Sequence, residues 1–349
     1  MKICIAIAMR IAAKENTFAE KEQVFSYIVV SDIVFYLQRC YDSGAFYLCC
    51  EVIIMYIPFL ILLSVTAGSG LSLSYKLGAK RTVDPVSSPP LMCGMASVLV
   101  CAVYSALALI MDGGIAFPQR QSLWYALMAG CAYTTAALGY LLALSCGPYS
   151  VTLIILNISS FMPILYSHLI LDEPVSVWQL AGLAVLLSAC VTLTILRSRG
   201  NKGGKFNIKW MLFALMTFIA NGFINFAIRL NTRLTPDTSR NSLFAVAYAL
   251  AAVLCFGFFL VSGGIRKKIL PKPLMAPAAG VAASLTLQLT PNSILPLYLT
   301  AALQYPLVNG MTILAGVAIG VVFFKEKIGL GGWLCIAAII GALCMLGIG

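Results

Sequence analysis

KLGAKRTVD, Lys76–Asp84, returns 153 positions later as RLNTRLTPD, Arg229–Asp237. Lys76 answers to Arg229, Leu77 to Leu230, Lys80 to Arg233, Thr82 to Thr235 and Asp84 to Asp237. The same shift carries Glu173 onto Glu326, Ser188 onto Gly341 and Ala189 onto Ala342. A constant offset held over a hundred residues is what an internal duplication leaves behind. Two halves of about 150 residues therefore organise the chain.

Composition fixes the solvent in which they fold. Hydrophobic residues make up 61% of the 349, charged residues 10%, and mean hydropathy is +0.95. An ordinary soluble domain carries about 45–50% apolar and about 25% charged residues. No water-soluble core absorbs this excess, so the sequence reads as an integral membrane protein. The formal charge of +11 does not mark a nucleic-acid binder, because the basic residues stand singly or in small groups between apolar runs, where they orient spans. The twelve cysteines form no CxxC and no Cys/His cluster with zinc spacing. Those inside apolar runs, such as Cys93, Cys255 and Cys335, read as small buried hydrophobes.

A span needs about 20 mostly apolar residues. Ten stretches qualify: Met55–Tyr75, Leu91–Met111, Ser122–Cys146, Val151–Leu171, Val177–Leu196, Trp210–Arg229, Leu243–Ser262, Pro277–Leu299, Tyr305–Phe324 and Gly331–Ile348. Adding 153 to each of the first five lands on or near one of the second five. The expected fold is all-α, with ten transmembrane helices in two five-helix repeats: residues 55–196 and 210–349, joined by the Gly-rich basic linker 197–209. Five is odd, so the second repeat enters the membrane upside down, the inverted arrangement common among secondary transporters. Residues 1–54 stand apart. They hold eleven charges and no clean span, and read as a non-conducting extension or as upstream sequence ahead of a start at Met55.

From Met55 on, fourteen of eighteen Lys and Arg fall in the loops after spans 1, 5, 7 and 9. Arg120, Arg229, Arg233 and Arg240 are the remainder. That bias puts the odd loops in the cytoplasm and both ends of the ten-span unit outside.

Gly147–Ala189, GPYSVTLIILNISSFMPILYSHLILDEPVSVWQLAGLAVLLSA, has a small-residue start, Pro163 in mid-span, an acidic exit at Glu173 and Gly182 in the next helix. Its second-half partner runs from Tyr305 through Lys325-Glu326-Lys327 to Gly341. These features resemble the drug/metabolite transporter superfamily, and within it the EamA-like family, over about Met55–Gly349. The resemblance implies a ten-helix carrier with a central cavity between halves that exchanges metabolites or exports compounds. Members of this layout usually have both termini in the cytoplasm, opposite to the charge bias, and residues 1–54 have no counterpart.

Polar residues inside spans are expensive in lipid and face a cavity or a partner helix. On that ground Ser69, Ser72, Tyr133, Asn157, Ser160, Asn221, Asn225, Gln288, Asn292, Tyr298 and Asn309 are candidate substrate-lining residues, an uncharged hydrogen-bonding set suited to a neutral or zwitterionic solute. Serine and threonine also serve by bonding their own helix backbone. Pro163, and Pro291 with Pro296, interrupt spans four and eight, which exposes backbone at membrane depth or simply kinks the helix. Lys76 and Arg229 are candidate contacts for an anionic group; both also close apolar runs, where such side chains snorkel to the interface.

No Asp or Glu lies inside any of the ten spans, which disfavours proton-driven export of cations through an embedded carboxylate. His168 near the end of span four reads as a bonded interface residue. Without a Walker loop, a GxSxG elbow, HExxH or paired carboxylates, no catalytic residue, metal ligand or cofactor is assigned. The expected protein is a permease of the cytoplasmic (inner) membrane. It moves a small amino-acid-like metabolite by alternating access, as export or exchange, and its partners are that solute and the bilayer. A homodimer is compatible with this reading. The alternatives are a multidrug or cation exporter of the same superfamily, a lipid-binding scaffold, or a membrane enzyme; the last needs clustered His, Asp or Glu, which the sequence lacks.

Overall fold

A computed structural model describes residues 46–117, 119–147, 149–159, 161–200, 208–235, 238–324 and 329–348. The described residues are all-helical. In chain order the helices are α1 (Phe46–Arg81), α2 (Ser88–Met111), α3 (Arg120–Cys146), α4 (Tyr149–Ile158), α5 (Phe161–Ile170), α6 (Val177–Gly200), α7 (Ile208–Leu234), α8 (Arg240–Val261), α9 (Lys272–Ile294), α10 (Ala301–Phe324) and α11 (Leu330–Ile348). A 3₁₀ turn, Leu295–Leu297, follows α9. Lipid offers backbone groups no hydrogen bonds, so helices satisfy them internally. At 1.5 Å per residue the 24 residues of α2 reach about 36 Å, enough to cross a hydrocarbon core of about 30 Å.

Among the described residues seven segments are long and apolar enough to span: Tyr56–Arg81, Ser88–Met111, Arg120–Cys146, Thr152–Ile170, Ile208–Leu234, Arg240–Val261 and Ala301–Val322. The chain is a multi-pass membrane protein. Val177–Ala189 and Leu330–Leu346 are apolar but shorter. The eighth expected span is a helix, α9, yet it is not one of the seven. Ser284, Thr286, Gln288, Thr290, Asn292 and Ser293 dilute its apolarity.

Three boundaries differ from expectation. α1 begins at Phe46, inside the stretch set apart as an extension; residues 1–45 lie outside the described residues. α6 runs to Gly200, so the linker's first four residues continue a helix. The span holding Pro163 is assigned as two helices: α4 ends at Ile158, Ser159 lies in a turn, and α5 begins at Phe161. Pro163 sits in the first turn of α5, where its missing N–H is no loss. Pro291 does not end its helix, which continues to Ile294.

Small residues let the helices close up. A methyl placed on Gly130 of α3 would stand 2.5 Å from Ala247 O of α8, and one on Gly182 of α6 would stand 3.0 Å from Ala342 O of α11. α3 also packs along α7, α2 along α8 and α9, and α4 along α10. The main core joins Tyr75, Met92, Tyr104, Tyr140 and Phe244; a second, around Ile154, Ile313 and Ile339, joins α4, α6, α10 and α11.

The loops after α1 and α8 meet at one end of this bundle, and those after α2 and α7 meet at the other. Lys267 bonds Asp84 Oδ2 (3.0 Å), Ser87 donates to Ser262 O (3.1 Å) and Arg81 to Pro273 O (3.3 Å), which ties the loop after α1 to the loop after α8. Opposite, Asp112 after α2 accepts from Ser239 and from Asn241 (2.9 Å) at the start of α8. Ser239 caps α8 by accepting from Asn241 N (3.0 Å).

Candidate functional site

A cavity of about 100 Å³ lies between the helices, large enough for several waters. α1 contributes Gly68, Leu71, Ser72 and Tyr75; α3 contributes Tyr133, Ala136, Ala137 and Tyr140. α4 adds Leu156 and Asn157, and α7 adds Asn221, Ile224, Asn225 and Ile228. Tyr248 of α8 and residues of α9 and α10, among them Gln288, Asn292, Gln304, Tyr305 and Asn309, complete it.

Eight expected lining residues meet here: Ser72, Tyr133, Asn157, Asn221, Asn225, Gln288, Asn292 and Asn309. Others do not. Ser69 is buried and bonds Val65 O (2.9 Å) of its own helix. Pro163 packs inside α5, and Tyr298 is half-exposed beyond the 3₁₀ turn. Ser160 lies outside the described residues, as do Asp237 and Glu326. The tyrosines Tyr75 and Tyr248 were not expected at the cavity. Tyr75 ends an apolar run and looks like an interface residue; Tyr248 is a lone polar group in span seven, which was not expected to line it.

The lining residues include six pairs separated by the repeat offset of 153: Gly68/Asn221, Leu71/Ile224, Ser72/Asn225, Tyr75/Ile228, Ala136/Leu289 and Leu156/Asn309.

Hydrogen bonds fix the amides. Asn221 Nδ2 donates to Ser159 Oγ (2.7 Å) and Leu156 O (3.4 Å), holding α7 against the break between α4 and α5. Asn225 Nδ2 donates to Asn221 O (3.0 Å) and Asn157 Nδ2 to Leu153 O (2.8 Å). Asn292 Oδ1 accepts from Ser64 (2.6 Å), which joins α9 to α1. Four tyrosines interlock beside them. Tyr75 stands edge-on to Tyr140 at 5.3 Å and shares a 3.3 Å hydroxyl contact with Tyr133, whose ring lies 4.5 Å from that of Tyr248. Such offset and edge-to-face pairs add about 0.5–1.5 kcal/mol each beyond burial.

Next to the cavity, towards the loop after α7, sits a buried ion pair. Arg229 is 0% exposed. Its Nε meets Glu173 Oε1 at 3.1 Å, its Nη2 meets Glu173 Oε1 and Oε2 at 2.5 and 2.6 Å, and its Nη1 meets Gln304 Oε1 at 3.0 Å. Leu299 O accepts at 3.3 Å, and Ala301 N donates to Glu173 Oε2 at 2.8 Å. Gln304 in turn donates to Asn292 O (3.2 Å). Arg229 also lies 5.9 Å from the Tyr305 ring centroid, so Gln304 and Tyr305 stand between the cation and the cavity. Asp172 (φ 49°) makes the left-handed turn that ends α5 and swings Glu173 inward. His168 Nδ1 contacts Glu173 O (3.0 Å), a bonded helix-end residue.

This corrects the readings of Arg229. It is fully buried and does not face the cavity as an anion contact; a buried charge needs a counter-ion, and Glu173, the acidic exit of span four, supplies it. Lys76 is half-buried and donates to Leu144 O (3.2 Å); it does not line the cavity. Among the described residues no group of three or more His, Cys, Asp or Glu could hold a metal ion.

No family model and no curated protein matches this sequence. The fold is shared with a solved structure named "Crystal structure of protein", at a TM-score of 0.60 and 16% identity, covering 84% of this chain and 98% of that one. At that identity the likeness speaks for the fold alone.

Proposed function

We propose that the chain is a secondary transporter of the EamA-like type, ten helices in two inverted repeats. It carries a small neutral or zwitterionic metabolite across the cytoplasmic membrane by alternating access, as export or exchange. One observation carries the reading: a cavity with carboxamides and tyrosines among its apolar walls, inside a membrane bundle, whose lining includes six pairs of residues related by the offset of 153. Inverted repeats put a substrate site at their interface. The packing supports it, since exchanging the halves turns the contact of α3 with α8 into that of α9 with α2, and returns α2–α8 and α6–α11 to themselves. Interrupted α4–α5 and the Pro-bearing α9 beside the cavity are further marks of such a site.

The test is uptake and counterflow in proteoliposomes with labelled amino acids, sugars and organic cations. Trans-stimulated flux of one class, lost in Asn157→Leu or Asn221→Leu, is the expected result. Folded protein that moves none of them favours the scaffold reading, and flux confined to organic cations favours the multidrug alternative.

A further inference from the structure

The cavity's unspent hydrogen-bonding groups have a definite character. No Asp, Glu, Lys, Arg or His is among its lining residues. The Arg229 cation beside the cavity is spent on Glu173, next to the lining residues Gln304 and Tyr305. A solute bringing a full charge here would meet no counter-ion, in surroundings where an unpaired charge is costly.

What remains is neutral. Asn221 and Asn225 turn their N–H groups to Leu156 O, Ser159 Oγ and Asn221 O, which leaves each a carboxamide oxygen as acceptor. Among the described residues the carboxamides of Gln288 and Asn309 line the cavity without a hydrogen-bond partner, each a donor and an acceptor. The Tyr140 hydroxyl is shut off from the cavity beside Ser72, so the carboxamides are the groups a solute meets. A carboxamide left without a protein partner costs free energy that a ligand recovers.

We infer that the transported solute is uncharged and carries several O–H or N–H groups, a polyol or a primary amide, received by the Asn221 and Asn225 oxygens and the Gln288 and Asn309 carboxamides. The inference rests on the transport reading and narrows it, excluding zwitterions as well as ions.

The experiment is counterflow of the full chain in proteoliposomes with five labelled probes: mannitol, nicotinamide, alanine, tetraethylammonium and lactate. Saturable, trans-stimulated flux of mannitol or nicotinamide alone is the expected result, and which of the two moves separates polyol from amide. Asn309→Leu removes a carboxamide that makes no hydrogen bond among the described residues, so its thermal unfolding should match the parent. Its half-saturation concentration for the uncharged probe should rise about two- to tenfold, the worth of one hydrogen bond. Saturable flux of alanine, tetraethylammonium or lactate overturns the inference and leaves transport standing. An unchanged half-saturation in Asn309→Leu overturns the assignment of the site. Flux of no probe by folded protein takes down the transport reading and the inference with it.

Discussion

Glu173→Leu is the substitution that the buried ion pair makes most consequential. It removes three of the five polar contacts of Arg229 and the acceptor of Ala301 N, while Arg229 stays fully buried. Stranding one member of a buried pair costs about 3–5 kcal/mol. At about 2 °C per kcal/mol for a chain of this size, unfolding in detergent should come roughly 6–10 °C earlier. Arg233 is the internal control: it reaches the same carboxylate only at 3.7 Å with its side chain 38% exposed. Solvent screens such a contact, so Arg233→Ala should cost less than about 1 kcal/mol. Removing both charges together, in Glu173→Leu/Arg229→Met, should recover most of the loss, because apolar replacement of a buried pair is close to neutral. A thiol-reactive dye can follow the melt, since Cys93 and Cys255 are buried and free. Equal losses for Glu173→Leu and Arg233→Ala, or a double variant as weak as the two singles added, would refute the reasoning.

Other predictions are simpler. Lys267 and Ser87 hold the Asp84 carboxyl at about 2, below the ordinary 3.8. The folded-state value is depressed, so the contribution is complete above about pH 4 and disappears as pH falls through about 2. The melting difference between the parent and Asp84→Asn should therefore be flat at neutral pH and shrink only in that acid window. Gly130→Ala pushes a methyl to 2.5 Å from Ala247 O and should cost about 1–3 kcal/mol. Gly257→Ala, with nothing within 4 Å of the added methyl, should change stability by less than about 1 kcal/mol in the same assay. Ser159→Ala should weaken the tie between Asn221 and the α4–α5 break by about 0.5–1.5 kcal/mol, read again as a lowered melting temperature.

Helix positions were legible because one signal, a run of apolar residues, governs both sequence and structure in lipid. Leu91–Met111 and Ser122–Cys146 lie within two or three residues of α2 and α3. The amides were legible for the same reason: Asn157, Asn221 and Asn225 cannot face lipid, and all three line the cavity. Serines were not, since Ser69 and Ser72 carry the same sequence signal, yet only Ser72 reaches the cavity. The ion pair was hidden for a different reason. Glu173 and Arg229 each close an apolar run and individually resemble interface residues. Their meeting depends on which helix ends share a side of the bundle and on the left-handed turn at Asp172, and no periodicity reports either. Tyr248 escaped likewise, as the tilt of α8 relative to α3 decides whether its ring faces the cavity.

The two charges of that pair lie 56 residues apart, with the whole of α6 between them in the sequence. During synthesis at about 5–20 residues per second, the carboxylate leaves the ribosome roughly 3–11 s before its arginine. For that interval the acid lacks the counter-ion that it has in the folded chain. A chain cut before α7 would keep that flaw indefinitely, and a fragment beginning at α7 would carry an arginine with the opposite fault. Each side of the pair is thus incomplete until the other has been made.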